Sequence, residues 1–96
     1  MKTNFTKDNN TLFVDIEGRL DATNAPEFES LLEKNTSAVC AVTINCEKLD
    51  YISSAGLRVL LTVHKKMKGC VKLTNVQELV MEVLELTGFV DILEIA

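Results

Sequence analysis

Ninety-six residues, 47% hydrophobic and 25% charged, make one domain over residues 1–96 with a single core, and four glycines and one proline leave no run that reads as a linker. The net charge of −4 excludes general affinity for nucleic acid, which needs clustered Lys and Arg along the phosphate backbone. No apolar run approaches the roughly 20 residues of a membrane span, and residues 1–8 lack the apolar core of a signal peptide, so a cytoplasmic protein without membrane insertion is expected.

Residues 2–7 and 11–17 read as two short strands joined by Asp8-Asn9-Asn10, a composition that tolerates the left-handed backbone of a tight turn. In the second strand Leu12, Val14 and Ile16 alternate with Asp15 and Glu17, giving one apolar and one solvated face. A helix follows Gly18-Arg19-Leu20-Asp21. Asn24 is its expected cap, Pro26 fits its first turn, and Glu27 and Glu29 complement the positive end of its dipole. Phe28, Leu31 and Leu32 supply its apolar stripe, and Asn35 ends it. Residues 38–45 are almost continuously apolar, which is the pattern of a central strand covered on both faces.

A second helix is expected over about 54–68, with Leu57, Val59, Leu60, Leu61, Val63 and Met67 on a broad apolar arc. Arg58, Thr62, Lys65 and Lys66 fall on the narrower polar face, either simply solvated or a contact surface for an acidic partner, and Gly69 ends the helix. Residues 70–74 form another strand. Asn75 is then the expected cap of a third helix, with Glu78 three residues on in an approximate capping box. Val76, Leu79, Val80, Val83 and Leu84 keep helical spacing, Gly88 closes the helix, and residues 91–95 make a last strand. This order implies an α/β fold: a mixed, mostly parallel sheet of about five strands, right-handed crossovers, and helices mainly on one face.

Few residues offer chemistry. Cys40, Cys46 and Cys70 have no Cys-x-x-Cys spacing and no ligand cluster around them. They read as reduced structural thiols, Cys40 and Cys70 inside apolar strand-like stretches, and no metal or cofactor is expected. His64 falls in the apolar arc and reads as a core-edge residue. Ten residues of helix place it about 15 Å from Ser54 along the axis, against the roughly 3 Å of a general-base contact. With no other histidine and no Gly-rich phosphate loop, an enzyme is not expected.

The stretch that stands out is Asp50-Tyr51-Ile52-Ser53-Ser54-Ala55-Gly56-Leu57-Arg58, where a strand passes into an amphipathic helix and two hydroxyls stand side by side. A serine there caps unpaired helix N–H groups, and the same donors and dipole favour an anion. The residue types alone leave both readings open. Gly56 is costly inside a helix. It reads either as room for a partner or the Gly18–Asp21 loop to approach closely, or as tight internal packing.

With these motifs placed, the chain resembles the STAS domain of bacterial anti-sigma factor antagonists. The resemblance is carried by residues 49–61, by Gly18-Arg19-Leu20-Asp21-Ala22-Thr23-Asn24-Ala25, and by Leu86-Thr87-Gly88-Phe89, in this order and at this spacing. It implies that Ser54, two residues before the Gly-Leu pair, is a phosphoacceptor. It implies an anti-sigma factor of the histidine-kinase-like ATPase type as partner and kinase, and a PP2C-type phosphatase to reverse the modification. The unphosphorylated form would capture the anti-sigma factor and so release the sigma factor. Asp21 would lie beside the acceptor, and Asp21, Ser53, Gly56 and Arg58 become candidates for the partner-facing surface.

On this reading Ser54 caps the helix when bare and carries the phosphate when modified. Phosphate adds about −1.5 to −2 charges, so it would oppose docking without a change of fold. Two departures stand out. Ser53 occupies the position where the well-studied antagonists carry Asp; it reads as a cap or loop residue, with a competing acceptor as the alternative. Many members also continue past the last strand into another helix, whereas this sequence stops at Ala96, leaving room on the sheet for a homodimer or a partner. The alternative is a constitutive STAS subunit of a lipid-transport or signalling complex, with Ser54 never modified.

Overall fold

In the computed structural model, which describes all 96 residues, Asn9 and Asn10 take left-handed backbone (φ 50 and 67) and turn the chain into a hairpin. The hairpin joins β1 (Lys2–Asp8) to β2 (Thr11–Leu20), antiparallel, with Asp8 opposite Thr11. Three parallel pairings continue the sheet, β2 with β3 (Ala41–Ile52), β3 with β4 (Val71–Thr74) and β4 with β5 (Glu94–Ile95), so spatial order follows chain order. Each parallel step needs a crossover. These are α1 (Ala25–Asn35), α2 (Ser54–Lys66) and α3 (Glu78–Leu86), the last followed by a 3-10 turn over Phe89–Asp91. The expected five-stranded mixed α/β sheet is therefore what the chain forms.

Period-two alternation puts the core on one face. Leu12 lies beside Val42 and Val42 beside Val71; one step on, Val14, Ile44 and Leu73 line up in the same way, and all six are buried. Phe28 and Leu32 of α1, Leu57, Leu60 and Val63 of α2, and Val80 and Leu84 of α3 join the same cluster of 22 buried residues. The opposite face carries Phe13, Asp15, Thr43, Asn45 and Lys72, and Phe13 is 44% exposed there. So β3 is covered on one side only. Its outward positions, Ala41, Thr43 and Asn45, are small or polar, a break that the near-continuous apolar run disguises.

Other boundaries also differ from expectation. β3 runs on to Ile52 through Glu47, Lys48 and Asp50, held by its parallel ladder with β2 despite register shifts between Asp15 and Glu17 and between Gly18 and Arg19. Asn75 takes left-handed backbone (φ 53) and its amide donates to Asn45 Oδ1 at 3.0 Å, so it cannot cap α3; Gln77 stands at the cap position and the capping box is absent. The closing strand shrinks to two residues because Phe89–Asp91 coil into the 3-10 turn. α2 stops at Lys66, ahead of left-handed Lys68 and Gly69.

The thiols are rearranged as well. Cys40 and Cys70 precede β3 and β4 and are exposed, while Cys46 is the buried one; all three are free. Burial pushes the Cys46 thiol up to about 12, since the apolar core disfavours a thiolate.

Candidate functional site

The strand-to-helix junction is fixed by its backbone before any side chain acts. The Ser53 N–H donates to the Leu20 carbonyl at 2.9 Å, which ties the end of β3 to the end of β2. Ser53 is extended (φ −98, ψ 175) and its Oγ accepts from the Gly56 N–H at 3.3 Å, while its carbonyl accepts from the Leu57 N–H at 2.9 Å. That is the geometry of an N-cap. The expectation that Ser54 caps the helix is thus corrected: Ser53 caps, and Ser54 is the first residue of α2, exposed to solvent. Because α2 starts at Ser54, one residue earlier than a Ser54 cap would set it, the second hydroxyl takes no part in the capping bond.

Gly56 is buried. A Cβ built on it would lie 2.9 Å from both Ile52 Cγ1 and Leu20 Cγ, inner atoms of buried core side chains and not their flexible ends. Close approach of the Gly18–Asp21 segment, through Leu20, and tight internal packing are thus the same contact. Gly56 sets how closely α2 seats against the ends of β2 and β3, and it presents no surface of its own to a partner.

The Gly18–Asp21 segment lies against this junction. Gly18 needs its positive φ of 95 to carry β2 through the second register shift, after which Arg19 stands beside Tyr51. The Arg19 guanidinium stacks over the Tyr51 ring at 4.2 Å, and its Nε is 3.8 Å from Asp21 Oδ2. Asp21 Oδ1 accepts from the N–H groups of Thr23 (3.0 Å) and Asn24 (3.3 Å). Asn24 returns the favour to the loop rather than to the helix: its Oδ1 accepts from the Asp21 N–H at 2.9 Å and its Nδ2 donates to the Arg19 carbonyl at 2.8 Å. It holds the cap position of α1 without a side-chain bond to that helix.

Arg58, one turn beyond Ser54, is exposed and lines a groove of about 150 Å³ between α1 and α2 together with Ala22, Ala25, Pro26, Glu29 and Ala55. Of the sequence-derived set, the structure therefore gathers Asp21, Ser53, Ser54 and Arg58 near one end of the sheet and places Gly56 beneath them. Arg19, Tyr51 and Gln77 are additions. Gln77 Nε2 donates to the Glu47 carbonyl at 2.7 Å and to Asp50 Oδ1 at 3.4 Å, bracing the approach to the junction from the α3 side.

The remaining features lie elsewhere. A depression of about 440 Å³ is on the open sheet face between Lys2, Asp15, Glu17, Asn45, Glu47 and Lys48, and no junction residue lines it. His64 is half-buried with its Nδ1 unpartnered, toward the far end of α2. No group of three or more His, Cys, Asp or Glu side chains is placed to hold a metal ion. No helix is long and apolar enough to cross a membrane.

Comparison with known proteins fits this geometry into a family. The STAS domain model matches residues 2–96. BtrV of Bordetella bronchiseptica, provisionally named an anti-sigma factor antagonist, is 34% identical, with 100% of this chain and 86% of that protein covered. The anti-sigma-B factor antagonist of Bacillus subtilis is 29% identical over 91% of this chain and 83% of its own length. Among solved structures, the Bacillus cell fate determinant SpoIIAA in its phosphorylated form shares the fold, with a TM-score of 0.75 at 17% identity, covering 99% of this chain and 91% of that one. The chain belongs to the STAS domain family.

Proposed function

We propose that this STAS chain is an anti-sigma factor antagonist switched by phosphorylation of Ser54. The observation that carries the reading is the division of the two hydroxyls: Ser53 is occupied in capping α2, and Ser54 is exposed on its first turn. The names of the relatives in Bordetella and Bacillus support the same assignment. The partner is an anti-sigma factor, of the histidine-kinase-like ATPase type, and a PP2C-type phosphatase restores the bare form.

The chain's part in the transfer is that of substrate. Ser54 Oγ forms a bond to the γ-phosphorus of ATP held by the partner, the bond to the bridging oxygen of ADP breaks, and the serine proton leaves to a base that the partner supplies. His64, the chain's one histidine, lies about 15 Å away along the helix.

The switch needs no refolding. At the start of α2 the helix dipole favours a phosphate by about 0.3–1 kcal/mol, so the domain tolerates it. At a protein interface the same group must be desolvated or repelled, and an unpaired buried charge costs on the order of several kcal/mol. Asp21, Arg58, Arg19 and Tyr51 flank the acceptor, and the stacked Arg–Tyr pair is of the residue types that anchor interfaces.

The test is mass spectrometry after incubation with ATP and the cognate ATPase. One phosphate on Ser54, absent from Ser54→Ala, is the expected result. No phosphate, or a phosphate on Ser53 alone, overturns the assignment.

A further inference from the structure

We propose that Arg58 is the internal counter-ion of the Ser54 phosphate, so that modification both adds negative charge to the junction and withdraws a cation from the surface that a partner meets. This inference rests on Ser54 as the phosphoacceptor and concerns what its phosphate does once attached.

Ser54 and Arg58 are i and i+4 on α2, the spacing that stacks two side chains on one helix face, and both are exposed. An acidic group N-terminal to a basic one is the favoured orientation of such a pair. Side chains of a helix lean toward its N-terminus, and Arg58 lines one groove together with Ala22 and with Ala55, the residue after Ser54. Its charge is also uncommitted, because the one ion pair in the protein joins Arg19 to Asp21. Glu29, the carboxylate across the groove, makes no ion pair with it.

In the bare protein Arg58 is therefore free to meet an acidic group on a partner. With phosphate one turn away, it is drawn back onto its own helix. No other cation of α2 can substitute: Lys65 and Lys66 lie eleven and twelve residues beyond Ser54, about 17 Å or more along the axis. That is well past a Debye length at physiological salt.

The phosphate can be placed by incorporating phosphoserine at position 54 of the full chain during translation, and its second ionisation followed by phosphorus NMR. Arg58→Gln raises that pKa by about 0.15–0.4 pH units, the size of an i, i+4 pair expressed as a proton affinity. Arg58→Lys keeps most of the wild-type value, and Lys66→Gln leaves it unchanged. The charged groups on neighbouring elements, Arg19, Asp21, Asp50 and Glu29, are constant across the series. An Arg58→Gln titration that superimposes on wild type, or a Lys66→Gln shift of equal size, overturns the pairing. Because the phosphate is installed without a kinase, this result is independent of whether the ATPase phosphorylates Ser54, which the mass spectrometry reads separately.

Discussion

Helices α1 and α2 both start where a parallel strand ends, at the same edge of the sheet, yet they use their polar residues in opposite ways. At α1, Asp21 and Asn24 bond to each other's backbone and to Arg19, and every polar atom of the turn that forms these bonds serves the loop. At α2, Ser53 meets the need of the helix with one bond to the Gly56 N–H, and a second hydroxyl stands free beside it. The first start is built to hold a shape. The second holds its shape with one residue and exposes the next, which is what a site of reversible modification requires.

The largest expected effect comes from filling the free position with charge. Ser54→Asp weakens binding of the anti-sigma factor by about a hundredfold or more, or about 2.8 kcal/mol at 1.4 per tenfold, read by titration calorimetry. Its thermal midpoint stays near wild type, because a carboxylate at this helix end contributes about 0.3–1 kcal/mol in its favour. If the variant bound as tightly as wild type, the free hydroxyl would not lie in the interface, and the contrast between the two helix starts would lose its functional meaning.

Next in size is Gly56→Ala, which tests what holds the second start in place. Overpacking against Leu20 and Ile52 costs about 1–3 kcal/mol, partly offset by about 1 kcal/mol of better helix propensity. A net loss of up to about 2 kcal/mol lowers the midpoint of thermal unfolding by as much as roughly 16 °C for a chain of this size. A stabilised Gly56→Ala would show that α2 can move off the sheet ends freely, and the packing account would fail.

Much of this was legible in the sequence, and the exceptions have physical causes. The alternation of strand and helix follows from periodicity, and the three motifs place Asp21 and Ser54 at the sheet edge. The length of β3 was hidden because Glu47, Lys48 and Asp50 lie on an irregular ladder, where charge breaks the apolar pattern and backbone pairing does not need it. Asn75 misled because asparagine serves equally as a helix cap and as a left-handed residue, and here its amide reaches across to Asn45. The Arg19–Tyr51 stack depends on a register shift after Gly18, and no local pattern reports which residues a parallel ladder will place side by side. The division between Ser53 and Ser54 was equally closed to composition. Two adjacent serines have the same capping propensity, so only the backbone angles of Ser53 decide which one caps.

That division is also where the smallest effects carry the most information. Ser53→Ala removes the cap and costs about 1 kcal/mol, within a range of roughly 0.5–2, so the midpoint falls by about 4–8 °C. Ser54→Ala touches no bond of the fold and should stay within about 0.5 kcal/mol of wild type, as exposed substitutions do. The paired measurement matters more than either alone. With ATP and the ATPase, Ser53→Ala still accepts phosphate at position 54, whereas Ser54→Ala accepts none while remaining fully folded. If instead Ser54→Ala proved as costly as Ser53→Ala, the two hydroxyls would be sharing the helix end. A phosphate on Ser54 would then have to break a cap before it could form, and modification would loosen α2 instead of leaving the fold intact.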